Sequence, residues 1–406
     1  MSFYSAQEQQ SMALRESTLL SGLSDFLSFA KDSSVYYQQL FADIDVSQID
    51  SRESLATLPI TRKSDLIKLQ AAAMPFAGMV PQMANIGRVF QSPGPIYEPE
   101  VDERDWWRMG QAFFAAGFRE GDIVQNCLSY HLTPGGFIMD SGARACGCSV
   151  IPAGPGQTEL QLEMAKNLKP NGYCGTPSFL KILLDKAKSQ QQKLPFTKAL
   201  VTGEALTPAL KAAFIDADIE VKQAYATADI GLIAFESVDD GLIVAEDIIL
   251  ELVRPGTLMP VESDEVGEVV ITSFNPSYPL IRFATGDLSA ELVGSSACGR
   301  SNIRIKGWLG RADQTTKVKG LFVHPEQVER IRSQHNIIQR LRMVVSRDND
   351  NDTMCLLCEV AETALDSVDV SAIEQTIRAV TQLSAEVCIE PLGSLPNDGI
   401  VIDDRR

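Results

Sequence analysis

The chain is predicted to be an α/β protein. A large N-terminal domain of helix-covered, mostly parallel sheets carries a β subdomain, and a small α+β domain follows it. Three observations predict this. Between about residues 105 and 226, short apolar strands alternate with single helical stretches, which implies parallel pairing under a helical cover. From about 242 to 310 the texture changes to short strands and turns. After Arg311-Ala-Asp313 it changes again to a compact helix and strand mixture. The expected limits are 1–312 for the large domain, with its β subdomain at about 242–310, and 313–406 for the small one. A length of 406 residues accommodates two to three domains at about 150 residues each.

Residues 1–75 show helical periodicity, interrupted at Leu58-Pro59 and Met74-Pro75. In TRKSDLIKLQ, Thr61 is the expected N-cap of a helix. Then DWWRMGQAFFAAGF reads as a helix, DIVQNCLS as a strand, GFIMDSGARAC as a helix and SVIPAG as a strand. TELQLEMAKNLK, PSFLKILLDKAKS and TPALKAAFIDA read as helices alternating with the strands GYCGTP, TKALVTG and IEVKQAYA. The segments LIVAEDIILELVRPG, GEVVITSF and NIRIKGWLG supply the β subdomain. In the last part, HPEQVERIRSQ and VSAIEQTIRAVTQL read as helices, and LRMVVS, TMCLLCEV and EVCIEPL as strands. Ligands of such sheets gather beyond the carboxyl ends of strands, so the loops after strands are where chemistry is sought.

Composition excludes several classes of function. With 45% apolar and 22% charged residues, the chain is neither disordered nor fibrous. A net charge of −17 and the lack of a long basic run exclude nucleic acid and acidic membrane surfaces as partners. No signal peptide or membrane span is read, and eight scattered cysteines fit free thiols in a cytoplasmic protein. Cys355 and Cys358 form a CxxC on an expected strand, where residues three apart face opposite ways, so they are not read as a zinc or redox pair.

The segments ITRKSDL (60–66), CSVIPAGPGQTELQL (148–162), KPNGYCGTPSFL (169–180), VTGEALT (201–207), AYATADIG (224–231), LIRFATGDL (280–288) and GRADQTTKVKGLFVHPEQVE (310–329) fall into one order. In that order the chain resembles the adenylate-forming acyl- and aryl-CoA ligases, in particular the phenylacetate–CoA ligase branch. The resemblance implies a rotating C-terminal domain and a carboxylate activated with ATP and Mg²⁺ to an acyl-adenylate, then passed to coenzyme A. The partner is then a small carboxylic acid, aromatic by default for this branch, and a homodimer is one option. By resemblance Gly203, Glu204 and Ala205 edge the adenine, Tyr225 with Ala226 stacks on it, Asp287 holds the ribose hydroxyls and Arg311 contacts the nucleotide. A carboxylate suits a cis-diol because two acceptor oxygens meet two donors. Asp313 matches the hinge, and Lys317-Val-Lys319-Gly320 the stretch approaching CoA. The acyl pocket maps to Tyr130, His131, Gly135, Gly136 and Phe137, where the glycines would let a substrate approach the helix. Each assignment has a plainer alternative: an ordinary strand-to-helix loop, a core aromatic, an Asp-capped turn, surface lysines, a structural histidine.

Departures from the family pattern cluster around phosphate. The family's Ser/Thr/Gly-rich loop with its lysine is here Gln91-Ser-Pro-Gly-Pro-Ile-Tyr-Glu-Pro99, a degenerate loop with Ser92, Gly94 and Tyr97 at its centre. Prolines remove N–H donors, and Glu98 would repel a triphosphate. Tyr-Gly-x-Thr-Glu is here Tyr225-Ala-Thr-Ala-Asp229, leaving Thr227 one place off and Asp229 as the tentative Mg²⁺ carboxylate. The family's C-terminal Gly-Lys is expected at Gly399-Ile400, without the lysine. One expectation is therefore a ligase with a rebuilt phosphate site, Arg282 or the proline-rich loop standing in for lysine and Asp229, Thr227 and Arg282 forming the catalytic set. The alternatives are a relative that binds AMP, acyl-adenylate or acyl-CoA without adenylating, or a non-catalytic binding protein.

Overall fold

A computed structural model describes every residue except 1, 2, 264, 313, 315, 320, 349, 350, 397 and 399. It resolves into two compact units, Met1–Leu250 with Ile271–Phe283 and Leu292–Trp308, and Glu251–Val270 with Ala284–Glu291 and Leu309–Arg406. Among the described residues, no helix is long and apolar enough to cross a membrane.

The first unit is built on an eight-stranded sheet in the order Arg304–Ile305, Leu242–Val244, Gly231–Phe235, Glu220–Thr227, Lys198–Val201, Gly172–Gly175, Ile123–Asn126 and Ser149–Pro152. Pairing is parallel from Glu220–Thr227 to Ser149–Pro152, as the alternation of helix and strand implies. Glu220–Thr227 then pairs antiparallel with Gly231–Phe235, a strand not read from the sequence. Helices Pro177–Ser189 and Pro208–Ile215 both begin with proline after a capping threonine: Thr176 accepts from Phe179 N and Thr207 from Leu210 N.

Residues 242–310 do not form one block. Leu242–Val244 and Arg304–Ile305 extend the main sheet. Ile248–Val253, Gly267–Ser273 and Leu280–Ser289 belong to a separate five-stranded sheet with Thr61–Arg62 and Gly310–Arg311. Local β propensity identified the strands but not their partners, which are distant in sequence.

Two helix expectations need correction. Thr61 lies in a two-residue strand rather than at an N-cap; its hydroxyl meets Tyr36 Oη at 2.8 Å, and the helix begins only at Leu66. Of the stretch beginning at Asp105, only Gly110–Ala115 is α-helical. Asp105 and Arg108 adopt φ of 55° and 62°, and the Asp105 carboxylate receives Gly110 N at 2.9 Å. That side-chain bond offers the backbone an alternative to the helix.

The N-terminal helices Met12–Ser21, Leu23–Ser33 and Val35–Leu40 bury Leu23, Leu27, Tyr37 and Phe41 against Ile249 and Ile281. Arg282 lies beside this core, is 0% exposed, and donates through Nη1 to the carbonyls of Ala56 and Leu58 at 2.7 and 2.6 Å. Its own N–H reaches Thr272 Oγ1 at 3.1 Å. The guanidinium thus satisfies carbonyls at the end of helix Arg52–Leu55 that would otherwise be buried without donors.

In the second unit the order is Glu386–Pro391, Asn351–Val360, Ile338–Asp348 and Ile402–Asp404. Helices Pro325–Gln334 and Val370–Thr381 cover one face through Val328, Ile331, Ile373 and Ile377, packed on Met354, Leu356 and Cys358. This matches the α+β reading of the last ninety or so residues, with Ile402–Asp404 added.

Arg282→Met is expected to lower the unfolding free energy by about 3 kcal/mol, because buried carbonyls lose a charged donor. Urea unfolding reads this directly. A variant of unchanged stability but impaired turnover would instead place Arg282 at the substrate.

Candidate active site

The loop expected to meet phosphate is a tight hairpin. Ile86–Ser92 pairs antiparallel with Ile96–Val101, with Ser92 opposite Ile96. Only Pro93, Gly94 and Pro95 remain for the turn, so it offers a single N–H, that of Gly94. A Cβ at Gly94 would stand 2.8 Å from the Ile96 side chain, so the turn is also closed sterically. Tyr97 is fastened by its main chain: its N–H donates to Gln70 Oε1 at 2.9 Å and its carbonyl accepts from Gln70 Nε2 at 2.8 Å.

Beneath this turn lies a buried polar cluster. Glu98 is 1% exposed, and its Oε1 accepts from the Ser92 hydroxyl. Burial, then the charge of Asp229, pushes the Glu98 carboxyl up to about 8. Asp229 comes from the turn after strand Glu220–Thr227, and Lys63 Nζ reaches its Oδ2 at 2.5 Å. The Asp229 side chain is fully buried while that of Lys63 is 23% exposed. Glu98 Oε2, Asp229 Oδ1 and Tyr278 Oη have no hydrogen-bond partner among the described residues. Burial, Asp229 and Glu98 together hold the Tyr278 phenol far above its ordinary range.

Lys63, Gln70 and Tyr278 were given no role from sequence. Lys63 stood inside the ITRKSDL motif, so a signal was present; nothing local marks Gln70 or Tyr278. Thr227 ends its strand, and its hydroxyl accepts from Ile230 N at 3.2 Å, shaping the turn that carries Asp229. Arg282 is in the same unit with its guanidinium in the core described above.

Gly203, Glu204 and Ala205 follow strand Lys198–Val201 as an exposed edge. Gly203 has φ of 81°, and Glu204 Oε2 accepts from Ser178 N at 3.4 Å. Tyr225 and Ala226, both half-buried, sit opposite Ala234 and Leu232 within the strand, which runs on to Thr227.

In the second unit, Asp287 and Arg311 face each other across an antiparallel pair, with Nη1 and Oδ1 2.8 Å apart. The Arg311 guanidinium lies over Gly286, where a Cβ would come within 2.6 Å of Nη2, and the Gly286 φ of 76° favours glycine there. Lys319 has φ of 47°, and its N–H donates to Asp352 Oδ2 at 3.2 Å. Lys317 is in the short strand Thr316–Val318, and Asp313 and Gly320 lie outside the described residues.

The acyl-pocket residues gather at the start of helix Gly135–Ala145, beyond strand Ile123–Asn126. Tyr130 Oη accepts from Asn126 Nδ2 at 2.7 Å and donates to Asp140 at 3.2 Å. Tyr130 meets Phe137 edge-on at 5.1 Å, and Phe137 lies 5.3 Å from Phe90, itself 6.1 Å from Trp107. A Cβ on Gly136 would stand 2.8 Å from the Tyr130 ring and the Ser129 carbonyl, so this glycine admits the protein's own backbone and tyrosine. Gly135 has no such crowding, its nearest neighbour being Leu128 at 3.9 Å, and His131 is exposed.

No family model matches the chain. It is 31% identical over 327 residues to phenylacetate-coenzyme A ligase from Pseudomonas putida, covering 75% of this chain and 72% of that protein. It is 27% identical over 403 residues to the enzyme of that name from Escherichia coli, covering 91% and 89%. Its fold is similar to that of a 2-hydroxyisobutyryl-CoA ligase in complex with R3-HIB-AMP, at a TM-score of 0.71 and 22% identity, covering 98% of this chain and 91% of that one. By this identity across three quarters of its length, the chain belongs to the phenylacetate–CoA ligase family.

Proposed function

We propose that the chain joins a small carboxylic acid to coenzyme A through an acyl-adenylate. The observation that carries this reading is its family membership, which spans both compact units. The ring cluster of Phe90, Trp107, Tyr130 and Phe137 supports an aromatic acid, since apolar rings favour edge and offset contacts with another ring. The exposed edge at Gly203–Ala205 suits a planar base, and the Asp287 carboxylate suits a ribose. Asp229 Oδ1, buried and without a donor among the described residues, suits a divalent cation, although Lys63 already pairs with its other oxygen.

A triphosphate fits less well. Phosphate loops work by presenting several N–H groups and a cation, whereas this turn presents one N–H above a buried glutamate. That specific geometry favours a second reading, in which the chain handles AMP, an acyl-adenylate or an acyl-CoA thioester without making the adenylate from ATP.

Measuring the two half-reactions separately decides between them. The first reading expects ATP–pyrophosphate exchange stimulated by an aryl acid. The second expects thioester formation from synthetic phenylacetyl-adenylate and CoA with no exchange. Silence in both assays by a folded sample removes both. Above about pH 8, where the Glu98 carboxyl is ionised, Glu98→Gln is expected to tighten inorganic tripolyphosphate binding about tenfold, because an anion becomes a neutral donor; unchanged binding there would show that Glu98 does not face the phosphates.

Stability should also report Glu98. Its folded value of about 8 lies above the ordinary 4.5, so between these the folded chain holds a proton the unfolded chain has lost. Stability due to this group therefore falls as pH rises from about 4.5 to about 8 and is level above that. Urea midpoints in chelator-treated buffer should show this slope in the native protein and its loss in Glu98→Gln.

A further inference from the structure

We propose that Cys355, Cys388 and Glu386 form a binding site for one thiophilic divalent cation of the zinc type, on the face of the C-terminal sheet turned away from its helices. The pleat creates it. Met354, Leu356 and Cys358 point into the helix-covered core, so Cys355 lies on the opposite face. Strand Glu386–Pro391 pairs parallel to Asn351–Val360, with Glu386 opposite Cys355 and Cys388 opposite Leu357. Cys388 is thus the diagonal neighbour of Cys355 on one face, and the two sulfurs lie 2.9 Å apart. The ligand atoms of all three residues fall within 4.8 Å of one another.

Burial is graded in a way that suits a metal. Both thiols are half-buried and Glu386 is exposed, which leaves a path from solvent to partly desolvated sulfur. A tetrahedral ion with bonds of about 2.3 Å holds its sulfurs roughly 3.8 Å apart, which small rotations of the two thiols reach. Glu386 would complete a Cys₂Glu set, with water as the fourth ligand. Sulfur ligands select zinc-like ions over Mg²⁺ and Ca²⁺. Binding releases the thiol protons, and the cation offsets the repulsion of three clustered anions. It also ties the edge strand Glu386–Pro391 to its neighbour, so the metal should stabilise the unit that contains both.

The test uses the full chain, fully reduced and freed of metal by chelation. Titration with Co²⁺ should give sulfur-to-cobalt charge-transfer absorption, bleached by one equivalent of Zn²⁺, and Zn²⁺ should raise the melting temperature. Cys355→Ser and Cys388→Ser should each weaken Zn²⁺ by about 100-fold or more, and Glu386→Gln by about tenfold. Cys146→Ser should leave it unchanged. Because Glu386 is exposed, its variant should fold even if a serine variant does not. Absence of the cobalt band from the reduced native chain, or a band and Zn²⁺ affinity that survive all three substitutions, would overturn the site.

Discussion

The ion pair between Lys63 and Asp229 is the constraint around which the candidate site is arranged. The Asp229 side chain is fully buried, and removing one partner of a buried ion pair typically costs about 3–5 kcal/mol. Lys63 is fixed on the turn Lys63–Asp65, and Asp229 on the turn between two antiparallel strands, so the pair pins two segments that are remote in sequence. One ammonium serves a neighbourhood that also contains Glu98 and Tyr278. Burial first, and the Asp229 charge second, keep both of these in their neutral forms.

The hairpin above it compounds the effect. Its register leaves two prolines and a glycine in the turn, so backbone donors that could solvate an anion are missing where the family resemblance places phosphate. The Ser92 hydroxyl already donates to Glu98. Within the first unit, the apolar ring cluster of Phe90, Trp107, Tyr130 and Phe137 thus differs in character from the polar cluster of Glu98, Asp229 and Tyr278, which is short of positive charge.

Much of the first unit was legible because its information is local. Short apolar strands alternating with single helices identify a parallel sheet without knowledge of contacts. The failures occurred where a side chain competed with the backbone. Asp105 draws Gly110 N away from a regular helix start, and Thr61 bonds Tyr36 instead of capping. At the site, Glu98 was foreseen as hostile to phosphate, while its burial with Ser92 was not. Arg282, expected to stand in for a lysine, instead donates to two main-chain carbonyls. The Ser92–Glu98 contact depends on the register of a local hairpin, and the Arg282 contacts on segments more than 200 residues apart, so no pattern of neighbours in the sequence announces either.

By itself, then, the sequence determined the alternation of helices with parallel strands, the opposed facing of Cys355 and Cys358, and the loss of N–H donors around Gly94. All of these follow from bond geometry and from the periods of helix and strand. Tertiary structure alone decided which charges are neutralised and which thiols meet. Lys63 reaches Asp229 across 166 positions and Cys355 reaches Cys388 across 33. Desolvation and strand register set those partnerships, and both are properties of the packed sheets rather than of any local run of residues.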